Sequence, residues 1–302
     1  MDILTIGECM AELAPTDAPA QYKLGFAGDT YNTAWYLAQI APEAHVGFFS
    51  AVGNDAISQQ MTEAMAASGV DGRFVRALEG ETAGLYLISL SDGERSFSYW
   101  RSNSAARKLA DDAALLKQAL DQASIVFFSG ITLAILAPEK RASFLAAMAD
   151  ARRKGKLIAF DPNLRPRLWQ NPDTMTQAIM LGAAVCDVAL PSFEDEAAWF
   201  NDANPEATAQ RYADAGATTV IVKNGDGPVS YSSEIGHGSV AVEPVLTIVD
   251  TTAAGDSFNA AILAGLHANQ DIQASIGRAS RLAAQVIQSK GALVPVNHQP
   301  GE

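Results

Sequence analysis

Runs of β-branched and aromatic residues recur along this chain, and a helical pattern follows most of them. "DILTIGE" opens it at 2–8, followed by "HVGFFSAVG" (45–53), "SIVFFSG" (124–130), "KLIAFDPN" (156–163), "CDVALPS" (186–192) and "TTVIVKNG" (218–225). Several are apolar throughout, as strands covered on both faces must be. Helical patterns lie between them at about 30–40, 56–67, 138–153, 174–184, 205–215, 254–268 and 272–289. This alternation predicts an α/β fold, a mostly parallel sheet with helices on both faces. The chain has 302 residues, 48% of them hydrophobic, which is ample for a large core.

Two segments break the rhythm. "GLYLISLSDGERSFSYWRS" (84–102) reads as two strands around the turn "SDGE", and the stretch at about 11–28 is poor in helix signals. Together they predict a small β-lid on the α/β body; the alternative is edge decoration. The end, "VPVNHQPGE", reads as a loose tail.

A formal charge of -13 argues against a nucleic-acid or anionic-membrane partner. Two distant cysteines, Cys9 and Cys186, fit a reduced compartment. The N-terminus lacks the basic region of a signal peptide, and no apolar run approaches a membrane span, so a cytoplasmic location is expected. The first strand leads into no G-x-G-x-x-G, "GDGPVS" (225–230) lacks the third glycine, and no P-loop motif occurs. The histidines at 45, 237, 267 and 298 form no close cluster.

"DTTAAGDSFNAAILAGL" (250–266) remains. "LTIVD" (246–250) reads as a strand and "SFNAAILAGLHA" as a helix. Backbone N–H groups at a helix start lack intrahelical partners, and with the macrodipole they attract phosphate oxygens. Ala253, Ala254 and Gly255 carry little or no side chain, so a phosphate can approach closely. Asp256 there is either an ordinary helix-start aspartate or a base that takes the proton of a hydroxyl attacking the phosphate.

Here the chain resembles the PfkB, or ribokinase-like, carbohydrate kinases, whose C-terminal signature D-T-x-G-A-G-D matches "DTTAAGD" (250–256), with Ala253 where most members have glycine. "DTTAAGDSF" is similar to one branch, the 2-keto-3-deoxygluconate (KDG) kinases. So, in order, are "IGECMAEL" (6–13), "FAGDTYNTAWYLA" (26–38), "GLYL" (84–87), "GERSFSYWR" (93–101), "SGITLAIL" (129–136), "DPNLRPRLW" (161–169) and "VIVKNG" (220–225). The resemblance spans essentially the whole chain. It implies a ribokinase-like three-layer α/β/α sandwich over 1–302, with the lid at about 11–28 and 84–102.

It also implies ATP-dependent phosphorylation of KDG at O6; the alternatives are another sugar kinase of the family, such as a fructokinase, ribokinase or 2-keto-3-deoxygalactonate kinase, and a non-catalytic sugar-binding protein on this fold. Asp256 would be the catalytic base, and the amides of Ala253, Ala254 and Gly255 the anion hole. Gly28, Asp29 and Asn32 would face sugar hydroxyls, although Asp29 also reads as an N-cap. Tyr86, Tyr99 and Arg101 would contact KDG, the arginine through the substrate carboxylate; the tyrosines read equally as packing or dimer contacts. Arg165 would hold the sugar acid or the γ-phosphate, with Arg167 structural. Asn163, Arg165, Ser192, Lys223, Asn224, Gly225 and Gly227 would line the ATP site, where Asn224 replaces the arginine of K-R-G. The family's N-x-x-E motif falls on "SFEDE", so Asp195 or Glu196 would organise Mg²⁺ through water, unless these acids are simply a solvated helix start. Asp250 matches a monovalent-cation position, for K⁺, or is a strand-end cap. Lid-to-lid contacts in the family imply a homo-oligomer.

Overall fold

Apolar strands that alternate their side chains between two faces need cover on both, and that requirement builds this protein. The computed structural model describes residues 1–91 and 94–296. In chain order it forms β1 (Ile3–Ile6), β2 (Met10–Pro15), β3 (Tyr22–Ala27), α1 (Asp29–Ile40), β4 (Val46–Gly53), α2 (Ala56–Ala67) and β5 (Asp71–Leu78). Then follow β6 (Gly84–Ser91), β7 (Glu94–Trp100), α3 (Ala113–Gln122), β8 (Ile125–Ser129), α4 (Gly130–Ile135), α5 (Pro138–Arg153), β9 (Leu157–Asp161) and α6 (Pro172–Ala183). The last elements are β10 (Val188–Ala189), α7 (Phe193–Phe200), α8 (Pro205–Ala215), β11 (Thr219–Val222), β12 (Val229–Ser233), β13 (Gly236–Val240), α9 (Ala254–His267) and α10 (Ile272–Val286).

Nine strands form the main sheet in the order β13-β12-β11-β10-β9-β8-β1-β4-β5. All pairings are parallel except those joining β11, β12 and β13. Leu4, Ile6, Val126 and Phe128 point into one core, with residues of α3, α4, α5, α6 and α8. Their neighbours Ile3, Ile125 and Phe127 point into the other, with residues of α1, α2, α9 and α10. The three-layer α/β/α sandwich is the result, as the alternation predicts. β1 pairs with both β4 and β8, so the strand order reverses there. Ligands gather at the carboxyl ends of strands beside such a reversal.

The second sheet has four strands in the order β3-β2-β6-β7. β6 and β7 are antiparallel with Ser91 opposite Glu94, flanking the expected turn "SDGE". Asp92 and Gly93 of that turn, and residues 297–302 of the tail with His298, lie outside the described residues.

The structure corrects one strand and adds others. "LTIVD" is not a strand. Leu246, Ile248 and Val249 are exposed, and Val249 and Asp250 both donate to one carbonyl, Ile287 O, at 2.8 and 3.1 Å. Local β propensity has no effect where no sheet edge is offered. Conversely β5, β12, β13, α3 and α4 carry weak sequence signals and owe their form to the neighbours they pack on.

One close approach sets how β8 turns into α4. A Cβ on Gly130 would lie 1.8 Å from Pro162 O and 2.6 Å from Ile179 Cδ1. Gly130→Ala is therefore expected to destabilise by about 3 kcal/mol, at the upper end of overpacking costs. A urea or thermal unfolding curve measures it, and an unchanged midpoint would show that β8 and β9 can separate freely.

Candidate active site

The ends of four parallel strands and the starts of two helices converge. β9 ends on Asp161, which is 5% exposed. Its Oδ2 accepts from Lys223 Nζ at 3.1 Å and from Asn259 Nδ2 at 2.6 Å. Lys223, just past β11, also donates to Asn259 Oδ1 at 3.2 Å. This closed ring holds the ammonium under the start of α9, 3.6 Å from where a Cβ on Gly255 would sit.

Ala253 caps α9 in the left-handed region, φ 60° and ψ 14°. That conformation favours glycine, the family's usual residue here, so the alanine is mildly strained. The Ala254 N–H is already taken, by Thr251 O at 3.2 Å, so the three-amide expectation shifts. By position, the N–H groups left over at this helix start are those of Ala253, Gly255 and Asp256.

Asp256 is partly buried one turn into this site. Its Oδ2 accepts from Asn32 Nδ2 at 2.8 Å. The amide orientation follows from its other end, because Asn32 Oδ1 accepts from Gly28 N–H at 3.2 Å. Burial pushes the Asp256 carboxyl up to about 7; Asp29 and Asp161 push the same way, while Asn32 and Lys223 pull it down. The N-cap of α1 is Gly28, and Asp29 is the first helical residue. Asn163 Nδ2 donates to Asp29 Oδ2 at 2.8 Å. Burial raises the Asp29 carboxyl as well.

The other expected residues divide. Arg165 Nη1 lies 3.7 Å from Asp195 Oδ2, and burial raises the Asp195 carboxyl against the pull of Arg165. Ser192 pairs its backbone with that of Lys223 in an isolated parallel bridge beyond the ends of β10 and β11. Asn224, Gly225 and Gly227 form the turn after β11, closed by Gly227 N–H on Asn224 O at 2.8 Å. Asn163, grouped with the nucleotide by sequence, stands instead against Asp29. Arg101 meets Glu8, and its side chain is 11% exposed. Tyr99 is 50% exposed on β7, opposite Tyr86.

One expectation needs correction, and two more residues are held by partners within the protein. Glu196 does not face the cleft: it is fully buried, accepting from Tyr212 OH at 2.9 Å and Arg211 Nη2 at 2.6 Å. Helical phase turns it inward where Asp195 turns out. Tyr86 is 7% exposed, and its hydroxyl is committed to Glu12 inside the second sheet. Asp250 ties its own turn, with Oδ1 accepting from Thr252 N and Oγ1 at 3.1 and 2.7 Å, and Oδ2 from Gly291 N at 2.7 Å.

The sequence reading passes over Glu8, Ser104, Asp161 and Asn259. Asn259 follows Asp256 by three residues, one turn along the same helix face, a spacing visible in the sequence. The partners of the others are brought in by the sheet.

The arrangement can do one kind of chemistry well. Unpaired helix amides and a fixed ammonium form an anion site, and a carboxylate with a raised pKa stands at its edge to accept a proton. These donors suit a nucleotide's phosphate chain. Among the described residues no cluster of three or more His, Cys, Asp or Glu is poised to hold a metal ion, and no helix is long and apolar enough to cross a membrane.

Comparisons with known proteins give the family and the fold. A family model described as pfkB family carbohydrate kinase matches residues 1–299. The chain is 37% identical to the 2-dehydro-3-deoxygluconokinase of Haemophilus influenzae over 299 residues, 97% of this chain and 95% of that protein. The crystal structure of a PfkB protein from Polaromonas sp. JS666 superposes with a TM-score of 0.85 at 28% identity, covering 95% and 96% of the two chains. A putative ribokinase II of Escherichia coli, solved in complex with ATP and Mg²⁺, gives 0.83 at 25% identity, over 97% and 94%.

Proposed function

This chain belongs to the pfkB family of carbohydrate kinases, and from that premise we propose that it phosphorylates 2-keto-3-deoxygluconate at O6 with ATP, acting in the cytoplasm. The observation that supports this most is Asp256 beside the amides of α9 and the Lys223–Asp161–Asn259 ring. The relatives that carry the enzyme's name lend the substrate.

In this reading the sugar acid lies between α1 and the second sheet, with its carboxylate on Arg101 and its O6 facing the free oxygen of Asp256. Asn32 keeps the other oxygen engaged, so the base presents a fixed lone pair. O6 attacks the γ-phosphorus as the bond to the ADP oxygen breaks, and Asp256 accepts the hydroxyl proton and later releases it to solvent. The leftover N–H groups of α9 and Lys223 stabilise charge on the transferring group, which passes through a loose transition state where position and electrostatics dominate. Asp195, with Arg165 Nη1 3.7 Å from its Oδ2, would hold a magnesium ion through water, and that ion would supply neutralisation of phosphate charge. The second sheet excludes water, the competing acceptor. Phe97 and Tyr99 stack on one face of β7 and Trp100 lies on the other, all three exposed, and these aromatics offer a surface for a homo-oligomer.

A coupled ADP-release assay tests the reading with KDG, its galactonate epimer and a panel of neutral sugars. Arg101→Ala is expected to raise KM for the acid sugar by roughly 10–100-fold, the value of a charge-assisted hydrogen bond. Neutral sugars turned over better than either acid, or a KM that ignores Arg101→Ala, would move the enzyme to another substrate.

A further inference from the structure

We propose that Glu8 is a positioning residue that holds Arg101 in the orientation needed to receive the substrate carboxylate, and so sets the preference for acid sugars. The inference rests on the reading of Arg101 as the carboxylate's partner.

Glu8 follows β1 at the reversal of the strand order and has two contacts of different kinds. Its main chain backs the α1 end of the site: a Cβ on Gly28 would sit 2.1 Å from Glu8 O. Gly28 in turn donates to Asn32, which holds Asp256. Its side chain reaches the other way, into the second sheet. There the carboxylate, with no solvent exposure, accepts from Arg101 Nη2 and from Ser104 Oγ. Gly84 opens the passage, since a Cβ there would lie 2.8 Å from Glu8 Oε1 and 3.3 Å from Arg101 Cβ. One residue thus links Arg101 to the loop on which the base's own support is built.

A fully buried carboxylate is costly unless it is paired, and a pair of apolar residues could fill this space at lower cost. What the pair supplies is a fixed guanidinium plane. Arg101 Nε is buried with no hydrogen-bond partner, a cost that the contact of Nη2 with Glu8 offsets in part. The substrate carboxylate approaches the side chain where it remains open, 11% of its surface. Holding Nη2 in advance removes the rotamer freedom that a loose arginine would lose on binding.

Glu8→Asp keeps the charge and withdraws it by one methylene, so it separates position from electrostatics. It is expected to raise KM for the acid sugar about tenfold, with kcat within about threefold and KM for ATP unchanged. In the Arg101→Ala background Glu8→Asp should add nothing, because the residue it positions is gone. An unchanged KM in Glu8→Asp, or effects that multiply in the double variant, would overturn the proposal. If Arg101→Ala alone leaves KM unmoved, the carboxylate reading falls first and the proposal with it. Should Glu8→Asp fail to fold, Ser104→Ala removes only the second donor, and a KM rise of about threefold is expected, with no rise counting against the proposal.

Discussion

Asp256→Asn is expected to lower kcat by about 10²–10⁴, the scale of a positioned base, while making the protein more stable at neutral pH. The two effects share one cause. The carboxyl of Asp256 is raised from 3.8 to about 7 by burial and by Asp29 and Asp161. Its folded pKa therefore exceeds its unfolded one, so the native state binds the proton more tightly. Ionised Asp256 strains the fold fully above pH 7, and the strain fades as pH falls towards 4. A shift from 3.8 to about 7, at 1.36 kcal/mol per unit, is roughly 4 kcal/mol at most. The asparagine removes that charge, so its melting temperature should exceed the parent's by several degrees at pH 8 and converge with it near pH 4. The parent's kcat/KM should fall as pH drops through about 7, where the free enzyme's base takes up a proton. Near-parental turnover in Asp256→Asn would remove the base assignment, whatever the melting curves show.

Lys223→Met should inactivate with the opposite sign in stability. Its ammonium is the one cation in the ring with Asp161 and Asn259, and it sits beside Gly255 at the anion site. Loss of a preorganised charge at a developing anion lowers kcat by about 10²–10³. The same change leaves the carboxylate of Asp161, whose side chain is 7% exposed, without its counter-charge, a loss of about 3 kcal/mol. Asn259 still donates to it at 2.6 Å, so the fold should survive. Adding Asp161→Asn should restore the melting temperature without restoring turnover. If the double variant regains activity, Lys223 is only a structural counter-ion.

Much of this was legible in the sequence, for physical reasons. Buried parallel strands must be apolar on both faces, so "SIVFFSG" and "KLIAFDPN" announce the sheet from composition alone. Small residues before Asp256 announce a helix start that a phosphate can approach. The failures are equally specific. "LTIVD" has strand composition, but strand formation needs a partner edge, which is a tertiary fact. Glu196 and Asp195 are adjacent acids of equal promise in sequence; the phase of α7 against α8 sends one into the core and one to Arg165.

What the sequence by itself determined was the layering, the alternation of the central strands with most of the helices, and the phosphate-ready turn at 250–256, because periodicity and side-chain size act locally. What only the tertiary structure decided was which polar groups meet. Glu8 with Arg101, Asp161 with Lys223 and Asn32 with Asp256 are 93, 62 and 224 residues apart. Their pairing depends on the order of strands in the sheet. No local rule carries it, and the chemistry of the site depends on it.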